Sequence, residues 1–114
     1  MRLGRGTVVL VNLDPTLGHE QQGARPCVVV TDPEVTEDQR FPMVCVVPIT
    51  RTRGEGALYP PLRAGKSGLR ATSYALVDQV RAVDKRRITR VFGRVGREDL
   101  SAIDEGLRLL FGLG

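Results

Sequence analysis

The side chains best suited to handling phosphate and protons gather in two short stretches of the chain, residues 19–25 and 50–53. Arg25 stands between Gly23 and Pro26, at the stiffened end of a polar loop, and a guanidinium held there can grip two phosphate oxygens at once. Glu20 lies five positions earlier, and its carboxylate is available to accept a proton; a plain solvated loop acid is the competing reading. Thr50 ends an apolar run just after Pro48, where its hydroxyl can donate to a non-bridging phosphate oxygen or serve simply as a β-former. His19 is the only histidine, which excludes acid–base chemistry run by a pair of histidines. Substrate contact or a bystander role is favoured for it over catalysis.

Farther along, Gln79 has the amide geometry for bidentate reading of a base edge, with structural bonding to the backbone equally open. Arg51, Arg53 and Arg81 are candidates for contacts to a phosphate backbone, or else part of a solvated charged face. Gly54 and Gly56 lack the helix that would make them a phosphate-binding loop. One histidine and two cysteines set in apolar runs cannot assemble a coordination sphere, so no metal and no cofactor is expected. Cys27 and Cys45 are read instead as buried small hydrophobes.

These residues need a scaffold of short strands. Residues 7–13 form a β-branched apolar strand, broken by turn chemistry from Asp14 to Gly18, and a polar loop runs to Ala24. Residues 27–31 form a second strand whose lack of alternation predicts that both faces are covered, and residues 43–47 repeat the pattern. Between them, residues 32–42 read as an acidic surface excursion. A mobile-looking basic loop spans 51–56, then a short strand at 58–62, confined to a sheet edge by Pro60 and Pro61. After a turn at 65–68, residues 73–83 read as one long strand, 85–88 as a turn of 3₁₀ helix and 89–95 as the last strand. From Arg97 the positions Leu100, Ile103, Leu107, Leu110 and Phe111 recur at helical spacing, with Glu98 and Asp99 in the first turn and Gly112 as C-cap. Many short strands closed by one helix predict a small, strongly bent antiparallel barrel.

With 114 residues the chain is read as one domain with one aliphatic core, since there is no Trp and only three Phe and two Tyr. So few aromatics argue against nucleic-acid binding on a stacking platform. The net charge of +4 rests mostly on arginine, concentrated at 51–70 and 81–97, which suggests a polyanionic partner or merely an arginine-rich genome. No apolar stretch approaches the roughly 20 residues that span a bilayer, and residues 1–6 enter the first strand without the apolar segment of a secretion signal. A cytoplasmic protein with no membrane contact is expected.

The string from Asp14 to Pro26, Asp-Pro-Thr-Leu-Gly-His-Glu-Gln-Gln-Gly-Ala-Arg-Pro, resembles the signature loop of the MazF/PemK toxins. Val46-Val47-Pro48-Ile49-Thr50, then 73–81, then the amphipathic helix after Gly93-Arg94-Val95 follow in that family's order, so the resemblance spans residues 4–113. It implies an SH3-like barrel that dimerises, RNA bound in a groove at the dimer interface, and an antitoxin that blocks the groove through an acidic, partly disordered segment. It implies metal-independent cleavage of single-stranded RNA, with Arg25 as phosphate clamp, Glu20 as candidate base and Thr50 beside them. His19 departs from the family, whose members commonly carry serine there. A gyrase poison of the same fold and a catalytically silent RNA-binding barrel are the alternatives.

Overall fold

The computed structural model describes residues 3–114; Met1 and Arg2, which open the stretch read against a secretion signal, lie outside it. Strands β1 (Thr7–Asn12) and β2 (Ala24–Val29) form an antiparallel hairpin in which Val8 pairs with Val28 and Val11 with Arg25. A short helix, α1 (Pro33–Glu37), leads to β3 (Met43–Thr50), which adds to β2 with Cys27 opposite Pro48. Then come β4 (Pro61–Leu62), β5 (Ser73–Ala75), β6 (Arg81–Asp84), β7 (Ile88–Arg94) and helix α2 (Arg97–Phe111). The sheet runs β4-β5-β3-β2-β1-β7, with β6 against the first half of β3, and every pairing is antiparallel. It is the expected bent barrel with a terminal helix, here a curled half-barrel.

The valine-rich strands bury both faces, as their missing alternation predicts: Cys27, Val28 and Val29 are all inaccessible to solvent. The buried side chains consequently fall into two clusters rather than one core. Val9, Val11, Val29, Val44 and Val46 fill one face; Val8, Val28, Val47 and Ile49 fill the other, beneath Ile103 of α2. Short side chains make this possible in a small chain, because each face needs only a thin cover. Leu100, Leu107 and Leu110 complete the apolar stripe of α2, and Gly112, with φ of 67°, ends the helix. Arg5 ties α2 to the sheet, pairing with Asp104 through both terminal nitrogens while its Nε donates to the Val30 carbonyl at 2.9 Å.

Four expectations need correction. The segment 73–83 is two strands, not one. Ile49 pairs with Ala75 while Val46 pairs with Arg81, so three extra residues are taken up by a 3₁₀ turn at Val77–Gln79. The turn buries Val77 under α2, whose Gly106 comes so close that a Cβ there would lie 3.1 Å from the Val77 side chain. Cys45 is exposed, as is Met43: the first half of β3 follows strict alternation, with Val44 and Val46 pointing inward. The strand expected at 58–62 shrinks to Pro61–Leu62, because Leu58 and Tyr59 enter turns. The acidic excursion contains α1, whose Asp32 side chain accepts the Glu34 amide and is followed at once by Pro33, a start signal present in the sequence.

The two ends of the curled sheet, β4 and β7, meet through the turn after β4. The Arg94 amide donates to the Lys66 carbonyl at 3.0 Å. A Cβ on Gly93 would lie 2.3 Å from that same carbonyl oxygen, and one on Gly68 only 2.6 Å from the Phe92 carbonyl oxygen. Backbone lies directly on backbone at this seam, which only glycine permits. No helix among the described residues is long and apolar enough to cross a membrane. Replacing Gly93 by Ala is expected to destabilise the fold by roughly 1–3 kcal/mol, because backbone rather than a flexible side chain must give way. Thermal unfolding should show a melting temperature lower by several degrees, and an unchanged melt would contradict the close contact.

Candidate active site

Arg25 sits on β2 at the mouth of the β1–β2 hairpin, paired across the ladder with Val11. Its Nε donates to the Gln22 carbonyl at 3.0 Å, which fixes the stem of the guanidinium and leaves both terminal nitrogens free to face outward. Thr50 ends β3 opposite Tyr74, and its hydroxyl oxygen accepts the Thr52 amide at 3.1 Å, leaving its own O–H available. Arg25, Thr50 and Arg51 line one concavity of about 330 Å³ together with Arg70. Its remaining wall is Gly68, Leu69 and Phe92 from the seam, with Pro26, Ile49 and Ser73 beneath. Three guanidiniums and no carboxylate line this hollow, so it attracts anions.

Glu20 does not share that concavity. It lines a neighbouring one of about 200 Å³ with Gln79, Arg81, Leu13 and Pro48. Pro48 borders this hollow while Ile49 and Thr50, the next two residues of β3, border the basic one, so the end of β3 is the rim between them. The Glu20 carboxylate accepts the Leu17 amide at 2.9 Å, closing a tight turn within the loop. His19 is exposed on the same loop, and its carbonyl accepts Nε2 of Gln79 at 3.3 Å. The other end of that amide accepts the Gln21 amide at 2.8 Å, so Gln79 clamps the loop from below with both of its polar atoms.

The loop carrying His19 and Glu20 is strapped down along its length. Arg81 donates to the Leu13 carbonyl at 3.0 Å, and the Asp14 side chain accepts the Gly23 amide at 2.9 Å across the loop's neck. Arg87 adds bonds to the carbonyls of Asn12 and Asp14. Burial beneath this neck pushes the Cys27 thiol up to about 12, with the Arg81 charge opposing it weakly, so Cys27 is a neutral core group. Arg53 is exposed on the basic loop, which is held by Tyr59: a Cβ on Gly54 would meet the Tyr59 side chain at 2.6 Å. The Tyr59 hydroxyl donates to Asp78 at 2.6 Å, and that bond raises the phenol above its ordinary range.

Arg70 was not foreseen from the sequence as an individual site residue, although it falls in the arginine-rich stretch 51–70. Only the seam brings it across to Arg25, 45 positions earlier in the chain. Phe92 and Leu69 were likewise invisible as site residues because they read as ordinary strand and turn hydrophobics. Among the described residues no three side chains of His, Cys, Asp or Glu come together to hold a metal ion.

Residues 4–111 match the model of a family described as the PemK-like, MazF-like toxin of type II toxin–antitoxin systems. Endoribonuclease MazF9 of Mycobacterium tuberculosis is 32% identical over 111 residues, covering 92% of each chain. The crystal structure of MazF from Deinococcus radiodurans superposes with a TM-score of 0.85 at 23% identity, covering 99% of both chains. An endroribonuclease from a mycobacterial species, solved with its cognate antitoxin, superposes with a TM-score of 0.80 at 22% identity over 97% of this chain and 96% of that one. A family match over nearly the whole length, borne out by a curated relative of similar length, shows that this chain belongs to the PemK-like, MazF-like toxins of type II toxin–antitoxin systems.

Proposed function

We propose that the protein is a cytoplasmic, homodimeric endoribonuclease that cuts single-stranded RNA without a metal ion, with residues 1–114 acting as one toxin domain. The observation that carries this reading is the pairing of Arg25, with two unengaged guanidinium nitrogens, and Thr50, with a free hydroxyl hydrogen, in one acid-free hollow. Its relative from Mycobacterium tuberculosis is named an endoribonuclease.

In the proposed reaction the ribose 2′-hydroxyl attacks the adjacent phosphorus and the bond to the 5′ oxygen of the next nucleotide breaks. The products are a 2′,3′-cyclic phosphate and a 5′-hydroxyl. Arg25 holds the two non-bridging oxygens as negative charge builds on them, and Thr50 donates a further hydrogen bond. Glu20 takes the 2′-hydroxyl proton of the nucleotide whose 3′ phosphate Arg25 holds, with that one phosphodiester seated at the rim 48–50 where the two hollows adjoin. Arg51, Arg53 and Arg81 contact the backbone, and His19 and Gln79 contact the substrate from the loop side. Met43, Val91, Leu109 and Phe111 stay exposed in the single chain, which leaves apolar surface for a second subunit.

Two outcomes test the chemistry. The purified protein should cleave an unstructured RNA in excess chelator, and Arg25→Ala should lose roughly 10²-fold or more in rate, the effect of removing an oxyanion donor. A requirement for a divalent ion, or full activity in the variant, would contradict the proposal. Glu20→Gln should slow cleavage by about 10²-fold or more while leaving RNA affinity nearly unchanged, as loss of a general base does. Measuring rate and binding separately checks this, and equal loss in both would assign Glu20 to binding.

The same basic hollow suits capture by an acidic antitoxin segment that folds on binding, and the mycobacterial protein of this fold was solved with its cognate antitoxin. A pull-down should recover an acidic partner whose affinity falls steeply with salt. Recovery of basic or neutral partners alone would count against this mode.

A further inference from the structure

We infer that Arg70, together with the apolar wall of Leu69 and Phe92, forms a nucleobase subsite beside the phosphate clamp and selects a base presenting two adjacent hydrogen-bond acceptors. This rests on the nuclease reading above and names a specificity determinant for it. The hollow of about 330 Å³ is larger than a phosphate requires, and its surface is chemically divided. Arg25, Thr50 and Arg51 supply the anion-binding part. Leu69 and Phe92 supply an apolar part that has no use for phosphate but suits the face of a base.

Arg70 stands where these parts meet, exposed and without a hydrogen bond or ion pair among the described residues. Its wall is rigid. The Gly68 amide donates to the Gly65 carbonyl at 2.9 Å, the Leu69 amide to the buried Ser67 hydroxyl at 3.2 Å, and the Gly65 amide to the Leu69 carbonyl at 3.3 Å. The glycine seam then presses this turn onto β7, with no room for a Cβ at Gly68. Arg90 stands 5.2 Å from the centre of the Phe92 ring and adds its charge to the same edge. A turn so tightly held presents the guanidinium at a fixed place, which selectivity requires.

A guanidinium offers donors only, in a planar fork. Guanine meets such a fork through O6 and N7, and cytosine through O2 and N3. Adenine and uracil mix a donor with an acceptor in each adjacent pair on their exposed edges. No carboxylate or amide side chain lines the hollow to accept from an exocyclic amine.

Mapping every cut made in a long RNA by the wild-type protein, Arg70→Ala, Arg70→Lys and a control, Arg40→Ala, at an exposed arginine that pairs with Asp38 just after α1 and lines neither hollow, tests this. The wild type should favour guanine or cytosine at one fixed position beside the cut, and whichever is found identifies the edge that is read. Arg70→Ala should flatten that preference by about tenfold or more while cutting continues, since a bidentate contact carries discrimination of that order. Arg70→Lys keeps the charge but not the fork, and should flatten it too. Arg40→Ala should match the wild type, and thermal melts should coincide for all four. An Arg70→Ala protein with the wild-type preference overturns the inference and leaves the nuclease reading intact. Uniform slowing that lysine rescues makes Arg70 a phosphate contact and also overturns it. Intact RNA after wild-type treatment overturns both.

Discussion

The molecule depends on the closure of a curled sheet by backbone laid on backbone. Its end strands share no ladder; they meet where the turn at 65–68 lies on the Phe92 and Gly93 backbone, with glycines on both sides. A hydrogen bond from Arg94 to Lys66 fastens the contact. Without it the wall bearing Leu69 and Arg70 would have no fixed relation to β2 and β3, which carry Arg25 and Thr50. The seam therefore closes the fold and builds the basic hollow at the same time. Few side chains take part, which is why hydrophobic pattern alone gives so little hint of it.

A second constraint is that strands covered on both faces must end somewhere, and the functional groups sit at those ends. The valines of β1, β2 and β3 are committed to two packed clusters and cannot do chemistry. Arg25 enters β2 from the hairpin loop and Thr50 ends the antiparallel β3 at the same rim, so the packed scaffold presents them side by side. Their local bonds are economical: Nε anchors Arg25 and leaves both terminal nitrogens for an anion, and Thr50 accepts through its hydroxyl oxygen while keeping its O–H to donate. The result is preorganised electrostatics, donors already aimed before any charge develops.

The loop between β1 and β2 follows a different logic. It is polar and exposed, yet Gln79, Arg81 and Arg87 hold its backbone from beneath. Gln79 engages both ends of its amide in that bracing. Glu20 and Arg25 are close neighbours in the chain, but they line separate hollows on either side of the end of β3.

Read as a linear chain, the protein already declared its strands, its terminal helix with its Gly112 cap, the covering of both sheet faces and the signature loop with Arg25 and Glu20. These are local properties: periodicity, turn chemistry and the order of short motifs travel with the chain itself. What stayed hidden was the break of 73–83 by a 3₁₀ turn, the outward aim of Cys45, the separation of Glu20 from Arg25 and the arrival of Arg70 and Phe92 beside Thr50. Each of these depends on which strand pairs with which and in what register, and on where two glycines let distant backbones touch. Such contacts are long-range, so they are decided by the packing of the whole sheet and not by any one segment of it.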